Sequence, residues 1–263
     1  MSVKKKKRTP TRSPLRQDPL PQAGDSAYAK ARDIFDDYVA FWFAMMGGFL
    51  CLTLVQAVIW YTKRPLHPGY FAFVTLVVGI IGAFKIRSHI KEIRNYVQGA
   101  EGERTVGQLL EQTREKGYRV YHDIPCDGFN IDHVLIGPAG VFVIETKTPS
   151  KPTNGSATIK YDGEKVRLGN HEPDRDPIAQ AKACRDHIAN LLIKITNRRP
   201  KMRAVVLYPG WWVEKQPKGV EVWVLSPGAF VKFLARESTI YRTSNISLLA
   251  ESLESCVRAS RLV

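Results

Sequence analysis

Hydrophobic residues form two long uncharged runs in the first third of the chain. The first run covers residues 39–61, which are 23 residues, and the second covers residues 66–84, which are 19 residues. At ~1.5 Å rise per residue the first run makes a helix about 34 Å long, and a bilayer core is about 30 Å thick. The pattern therefore predicts a two-helix transmembrane hairpin over residues 39–86 with a tight link at 62–65. A buried helix pair in a soluble protein is the alternative.

Beyond residue 84 the pattern changes to helical and then to alternating. An amphipathic helix is predicted to end near Gly117, with Glu103 in line with the apolar positions Val106 and Leu110. Strands are predicted at 118–124, 130–136, 141–147, 202–208 and 220–225, and helices at 176–196, 229–237 and 247–258. These strands and helices fill one domain over residues 99–263, joined to the hairpin by a helical linker at 87–98.

Two acids are predicted to face each other across a hairpin. If Gly137 and Gly140 close the turn, Asp132 lies opposite Glu145, and Lys147 shares their face. Opposed carboxylates repel each other, and a divalent cation or the lysine would relieve that repulsion. A different turn would shift the register by one residue, so the spacing alone does not fix this arrangement. The alternative is that both acids lie at a solvated strand end and pair with Lys or Arg.

The predicted helix at 176–196 brings a further polar side chain towards the core. Asp176 is a plausible N-cap, Pro177 occupies the first helical position, and Gln180 lies on the same side as the apolar stripe. An inward glutamine requires hydrogen-bond partners. It is either an ordinary core amide or a group that orients water in a metal and phosphate site.

Charge is distributed unevenly and changes the interpretation of the composition. The net charge is +14, of which +9 falls in residues 1–99 and +5 in the remainder. Residues 1–38 are predicted to form a basic disordered tail that contacts lipid headgroups or, alternatively, nucleic acid. Basic residues flank the apolar runs on their outer sides, which predicts a multi-pass protein of the cytoplasmic (inner) membrane with both termini in the cytoplasm.

Four motifs occur in an order that resembles a known family. They are Gly102-Glu103, the strand at 131–137, the strand at 140–147 ending in Glu145-Thr146-Lys147, and the helix start at 176–181. This order resembles that of NERD (nuclease-related) domains, which are similar to the PD-(D/E)XK superfamily. The resemblance implies a restriction-endonuclease-like α/β fold, with a central mixed sheet flanked by helices.

The resemblance also implies a set of site residues. Asp132 and Glu145 are expected to be ligands of Mg²⁺ or Mn²⁺, Lys147 the catalytic lysine, Glu103 an additional acid and Gln180 the helix glutamine. The implied function is a membrane-anchored, metal-dependent nuclease that hydrolyses phosphodiester bonds, with DNA and the lipid bilayer as partners. The alternative is a non-catalytic, membrane-tethered module that binds nucleic acid or protein through an inherited nuclease fold.

A basic cluster follows the predicted helix at 176–196. Phosphate contacts are one interpretation of these residues and a solvated turn is the other. The cluster consists of Arg198, Arg199, Lys201 and Arg203.

Overall fold

The structure is a computed structural model that describes residues 20–62, 69–126, 128–151, 157–169 and 171–260. The first half of the predicted tail and most of the predicted hairpin link lie outside these residues. The helices are α1 (Asp25–Ile34), α2 (Phe41–Tyr61), α3 (Gly69–Glu111), α4 (Pro177–Thr196), α5 (Pro227–Leu234) and α6 (Thr243–Ser260). The strands are β1 (Arg119–Cys126), β2 (Phe129–Gly137), β3 (Gly140–Thr146), β4 (Thr158–Tyr161), β5 (Val166–Leu168), β6 (Met202–Leu207), β7 (Trp212–Val213) and β8 (Val222–Leu225).

Two long helices form the first part of the described chain. A π-helical stretch, Phe35–Ala40, joins α1 to α2, so that helical structure runs from Asp25 to Tyr61. Residues 25–38 are therefore helical, whereas the sequence predicted a disordered tail there. Tertiary contacts explain the difference, because Ala31 is buried and the Arg104 guanidinium lies 4.9 Å from the ring centre of Tyr28.

Helices α2 and α3 pack against each other through small and hydroxylated residues. A Cβ added at Gly82 would lie 2.9 Å from Sδ of Met46, so the backbones approach closely there. The Thr75 hydroxyl donates a 3.0 Å hydrogen bond to the Phe49 carbonyl oxygen. None of the α2 residues is buried, and both helices are long and apolar enough to cross a membrane.

A five-stranded mixed sheet forms the centre of the following domain. Its strand order is β1-β2-β3-β6-β8, with antiparallel pairing among the first three strands and parallel pairing among the last three. Val134 and Val143 on one face pack with Ile188 of α4 and Leu253 of α6. On the other face, apolar strand residues pack with α3 and α5. The predicted α/β class and the mixed sheet flanked by helices are confirmed.

A second, three-stranded sheet was not predicted. It has the strand order β5-β4-β7. Ile159 and Tyr161 of this sheet belong to the same buried hydrophobic cluster as Trp211. These strands contain only two to four residues, which is too short for an alternating pattern to be recognised in the sequence.

Candidate active site

The predicted register of the β2–β3 hairpin is confirmed. Gly137 pairs with Gly140 and His133 pairs with Ile144, and Asp132 and Glu145 occupy the next two facing positions. The Asp132 carboxylate reaches across to β3, where its Oδ2 accepts a 2.6 Å hydrogen bond from the Thr146 backbone N–H. The hairpin therefore brings both acids to the end of β3.

Glu145, Lys147 and Gln180 form a closed ring of hydrogen bonds. Lys147 Nζ donates to Glu145 Oε1 and to Gln180 Oε1, each at 2.8 Å. Gln180 Nε2 donates to the same Glu145 oxygen at 2.6 Å. Gln180 lies in the first turn of α4. The Asp176 carboxylate caps this helix by accepting hydrogen bonds from the Ile178 N–H and the Ala179 N–H. The ring orients Lys147, of which 29% is exposed, beside Glu145, of which 4% is exposed.

The second carboxylate oxygen of Glu145 lacks a donor. Among the described residues nothing donates to Oε2, although this oxygen is buried. A buried carboxylate oxygen without a partner is costly, so the arrangement suits a hard cation at that position. Within the described chain no three His, Cys, Asp or Glu side chains form a metal-binding group. Mg²⁺ is commonly held by one or two carboxylates together with water and phosphate oxygens, so Asp132 and Glu145 fit it.

Close packing at Gly102 places Glu103 near the other acids. A Cβ at Gly102 would overlap with Cγ2 of Thr148, one residue after Lys147. The neighbouring Gln98 side chain donates a 2.6 Å hydrogen bond to the Thr148 carbonyl oxygen. Helix α3 therefore lies directly on the chain that leaves β3, and the half-buried Glu103 interacts electrostatically with Glu145 and Lys147.

Burial and mutual repulsion raise the pKa of each acid of the site. Desolvation, followed by the charges of Asp123 and Glu145, raises the pKa of Glu103 to about 7. Desolvation is also the main cause that raises the pKa of Asp132 and of Glu145, which Lys147 partly opposes. Several carboxylates near a single lysine repel one another, and a bound cation would stabilise their charged forms.

Asp123 is an acid of this region that the sequence analysis missed. It lies on β1 between His122 and Ile124, whose partners on β2 are His133 and Ile131, so it faces the position of Asp132. Only 4% of Asp123 is exposed, and its backbone has a φ of 47°. Pairing β1 with β2 in the same way as β2 with β3 would have identified it.

The predicted basic cluster is not part of this site. Met202 at the start of β6 pairs with Val141, whereas Leu207 at its end pairs with Thr146. The residues just before and at the start of β6 therefore lie about 17 Å from the acids, at the opposite end of the sheet. Arg203 in this cluster stacks on the Trp223 ring and donates to the Val220 carbonyl oxygen at 3.0 Å.

Comparison with known proteins gives a family match for this domain. Residues 98–209 match the family of nuclease-related domains, NERD. A structural match is Pyrococcus furiosus SfsA, solved in complex with Ca²⁺, at 18% identity and a TM-score of 0.25. That match covers 49% of this chain and 55% of SfsA. No curated protein matches the chain significantly.

Proposed function

We propose that this protein is a membrane-anchored, metal-dependent nuclease that hydrolyses phosphodiester bonds in DNA. The observation that carries the proposal is the convergence of Asp132, Glu145, Lys147 and Gln180, with one buried Glu145 oxygen left without a donor. The match to nuclease-related domains supports the nuclease class, while the chemistry has to be argued from the site itself.

Each site residue has a distinct role in the proposal. Glu145 Oε2 and the Asp132 carboxylate would hold Mg²⁺ or Mn²⁺, which when bound neutralises phosphate charge and activates water. Lys147 presents a positive charge to the scissile phosphate and stabilises negative charge that develops there. Gln180 holds Lys147 and Glu145 in one geometry through its two hydrogen bonds.

The membrane anchor is supported by the surface of the two long helices. Large apolar side chains such as Leu54, Trp60 and Phe73 are more than half exposed on them. Such a surface is stable in lipid and costly in water. Helix α3 continues without a break from residue 84, the end of the apolar run, to Glu103, and this distance is about 28 Å. The proposed site would therefore lie in the cytoplasm, close to the bilayer.

The activity test uses the full chain, purified in detergent. Single-stranded and duplex DNA and RNA are incubated with Mg²⁺, with Mn²⁺ and with chelator, for the wild type and for Asp132→Asn. Asp174→Asn is the matched control, because Asp174 is exposed and lies outside the ring of hydrogen bonds. We expect metal-dependent cleavage of DNA that Asp132→Asn abolishes and Asp174→Asn retains.

Two results would contradict the proposal. Cleavage by Asp132→Asn at the wild-type rate would reject the site. Retained nucleic-acid binding without cleavage of any substrate and without metal binding would favour the binding-module alternative.

The proposed topology is tested separately, with a reporter that is active only when exported from the cytoplasm. Fused after Val263, this reporter should remain inactive.

A further inference from the structure

The residues that precede α1 form a tight turn packed into the domain. Gln22 N–H donates to Asp25 Oδ2 at 2.8 Å, and Asp25 N–H donates to the Gln22 carbonyl oxygen at 3.2 Å. Pro21 and Ala23 are buried, so the turn is held by packing as well as by its own hydrogen bonds. We call residues 22–26 the N-terminal turn.

The N-terminal turn contacts two of the acids near the proposed catalytic site. The Ser26 backbone N–H donates a 2.6 Å hydrogen bond to Asp123 Oδ2. Gly24 packs against Ala100 on α3, one turn before Glu103, and its backbone lowers the pKa of the Glu103 carboxyl. The other oxygen of Asp123 accepts from Asn130 Nδ2 at 2.7 Å, which fixes the orientation of that carboxylate. One end of the turn is therefore anchored on β1, and its middle reaches the acid of α3.

Steric fit leaves little freedom in how the turn sits on α3. Gly24 has a φ of +81°, and a Cβ there would lie 2.7 Å from the Ala100 carbonyl oxygen. A Cβ at Gly107 would lie 2.8 Å from Cβ of Ala23. Two glycines, one on each partner, allow the backbones to approach, and a side chain at Gly24 is excluded by both conformation and space.

We propose that the N-terminal turn is a latch that positions Glu103 in the active site, and that Asp123 is the positioning residue that anchors it. This inference rests on the proposed function, because it assigns Glu103 a place beside the cation held by Asp132 and Glu145. The latch packs on α3 through Ala100 and Gly107, one turn before and one turn after Glu103. It also connects the site to α1 and α2, since helical structure begins at Asp25 within the turn.

A consequence is that the domain alone lacks part of its site. A fragment that begins at residue 99 retains Glu103 and Asp123 but loses the turn, and with it the Ser26 donor to Asp123. We therefore test the latch in the full chain.

The first experiment measures amide hydrogen exchange of residues 20–26 in detergent with chelator present. Asp123→Ala and Glu103→Ala should each accelerate exchange of this segment at least 10-fold, because the first removes the acceptor of Ser26 N–H and the second removes the carboxylate that the turn positions. Asp123→Asn keeps an oxygen for Ser26 and should remain close to the wild type. Glu101→Ala is the control, because the exposed Glu101 lies on the same helix. Fast exchange of this segment in the wild type, or unchanged exchange in Glu103→Ala, would contradict the proposed latch. Neither result depends on whether the protein cleaves DNA.

The second experiment asks whether the latch acts on the site. Gly24→Ala and Asp123→Ala should raise the Mn²⁺ concentration for half-maximal DNA cleavage about 10-fold, with an unchanged KM for DNA. Gly99→Ala is the matched control, since a Cβ there meets no atom within 4 Å. Accelerated exchange with an unchanged Mn²⁺ dependence would reduce the turn to a structural role and reject the proposal. If the wild type cleaves nothing, the proposed function fails, while the exchange experiment still decides whether the turn contacts Glu103.

Discussion

The Gln180 side-chain amide donates a 2.6 Å hydrogen bond to Oε1 of Glu145, linking the first turn of α4 to the end of β3. Because Lys147 also donates to Oε1, both donors lie on one side of the carboxylate. The opposite oxygen, Oε2, is buried without a donor among the described residues. Glu145 is therefore satisfied at Oε1 and unsatisfied at Oε2.

We expect Mn²⁺ to stabilise the wild type against thermal unfolding and Glu145→Gln to remove this effect. A ligand that binds the folded state at 100 times its Kd stabilises that state by about 2.7 kcal/mol. The measurement is the melting temperature across a Mn²⁺ titration in detergent. Glu164→Gln, at an exposed position, is the control. Equal Mn²⁺ stabilisation of Glu145→Gln and the wild type would remove Glu145 from the metal site.

Substitution of Lys147 is expected to affect both stability and cleavage. Lys147→Met leaves the buried Glu145 carboxylate without its ion-pair partner, which costs about 3 kcal/mol of unfolding free energy at pH 8. It should also slow cleavage about 100-fold, since a charge that stabilises the transition state is lost. Unfolding by denaturant and single-turnover cleavage measure the two effects.

A double variant separates these contributions. Lys147→Met combined with Glu145→Gln removes both charges, so its stability loss should be smaller than the sum of the single losses. Additive losses would show that the ion pair does not contribute to folding. Lys194→Met, an exposed lysine in the last turn of α4, is the control for the loss of a lysine.

Gly102→Ala is expected to separate α3 from the site. The added Cβ would overlap with Thr148 Cγ2, so unfolding free energy should fall by about 2 kcal/mol or more. Gly99→Ala, three residues earlier in the same helix, has open space and should stabilise by about 0.5–1 kcal/mol. Thr148→Ser removes the overlapping methyl group and should partly rescue Gly102→Ala. Equal effects of the two alanine substitutions would contradict the close packing.

The local part of this architecture could be predicted from the sequence. The β2–β3 register followed from the turn at Gly137 and Gly140, and the start of α4 followed from Asp176 and Pro177. Both depend on residues close together in the chain. The motif order then indicated which side chains converge, and the structure brings Asp132, Glu145, Lys147 and Gln180 to one end of β3.

Contacts between distant segments were not predictable in the same way. Asp123 and the N-terminal turn meet across 97 residues, and neither has a periodic signal. The turn also follows directly on a basic, proline-rich segment, whose composition predicted disorder. Its order depends on packing against α3, and no pattern within the turn itself reports that packing.

The ionisation of Glu103 makes stability depend on pH in a direction opposite to that of an ion-paired acid. Its pKa is raised from 4.5 to about 7, first by burial and then by Asp123 and Glu145. Between pH 4.5 and 7 the folded state therefore binds a proton that the unfolded state has released. By linkage, the unfolding free energy falls as the pH rises through this window.

Glu103→Gln should reduce this pH dependence and stabilise the protein above pH 7. The amide carries no charge, so the repulsion from Asp123 and Glu145 disappears, and we expect a gain on the order of 2 kcal/mol at pH 8. Denaturant unfolding from pH 4.5 to 8, with chelator to exclude metal, measures the effect. Glu101→Gln, exposed on the same helix, should leave the pH profile unchanged. A Glu103→Gln profile parallel to that of the wild type would show that another group titrates in this window. If Mn²⁺ removes the stability advantage of Glu103→Gln over the wild type, the cation stabilises the charged Glu103 carboxylate of the wild type. The glutamine amide carries no charge and cannot gain this stabilisation.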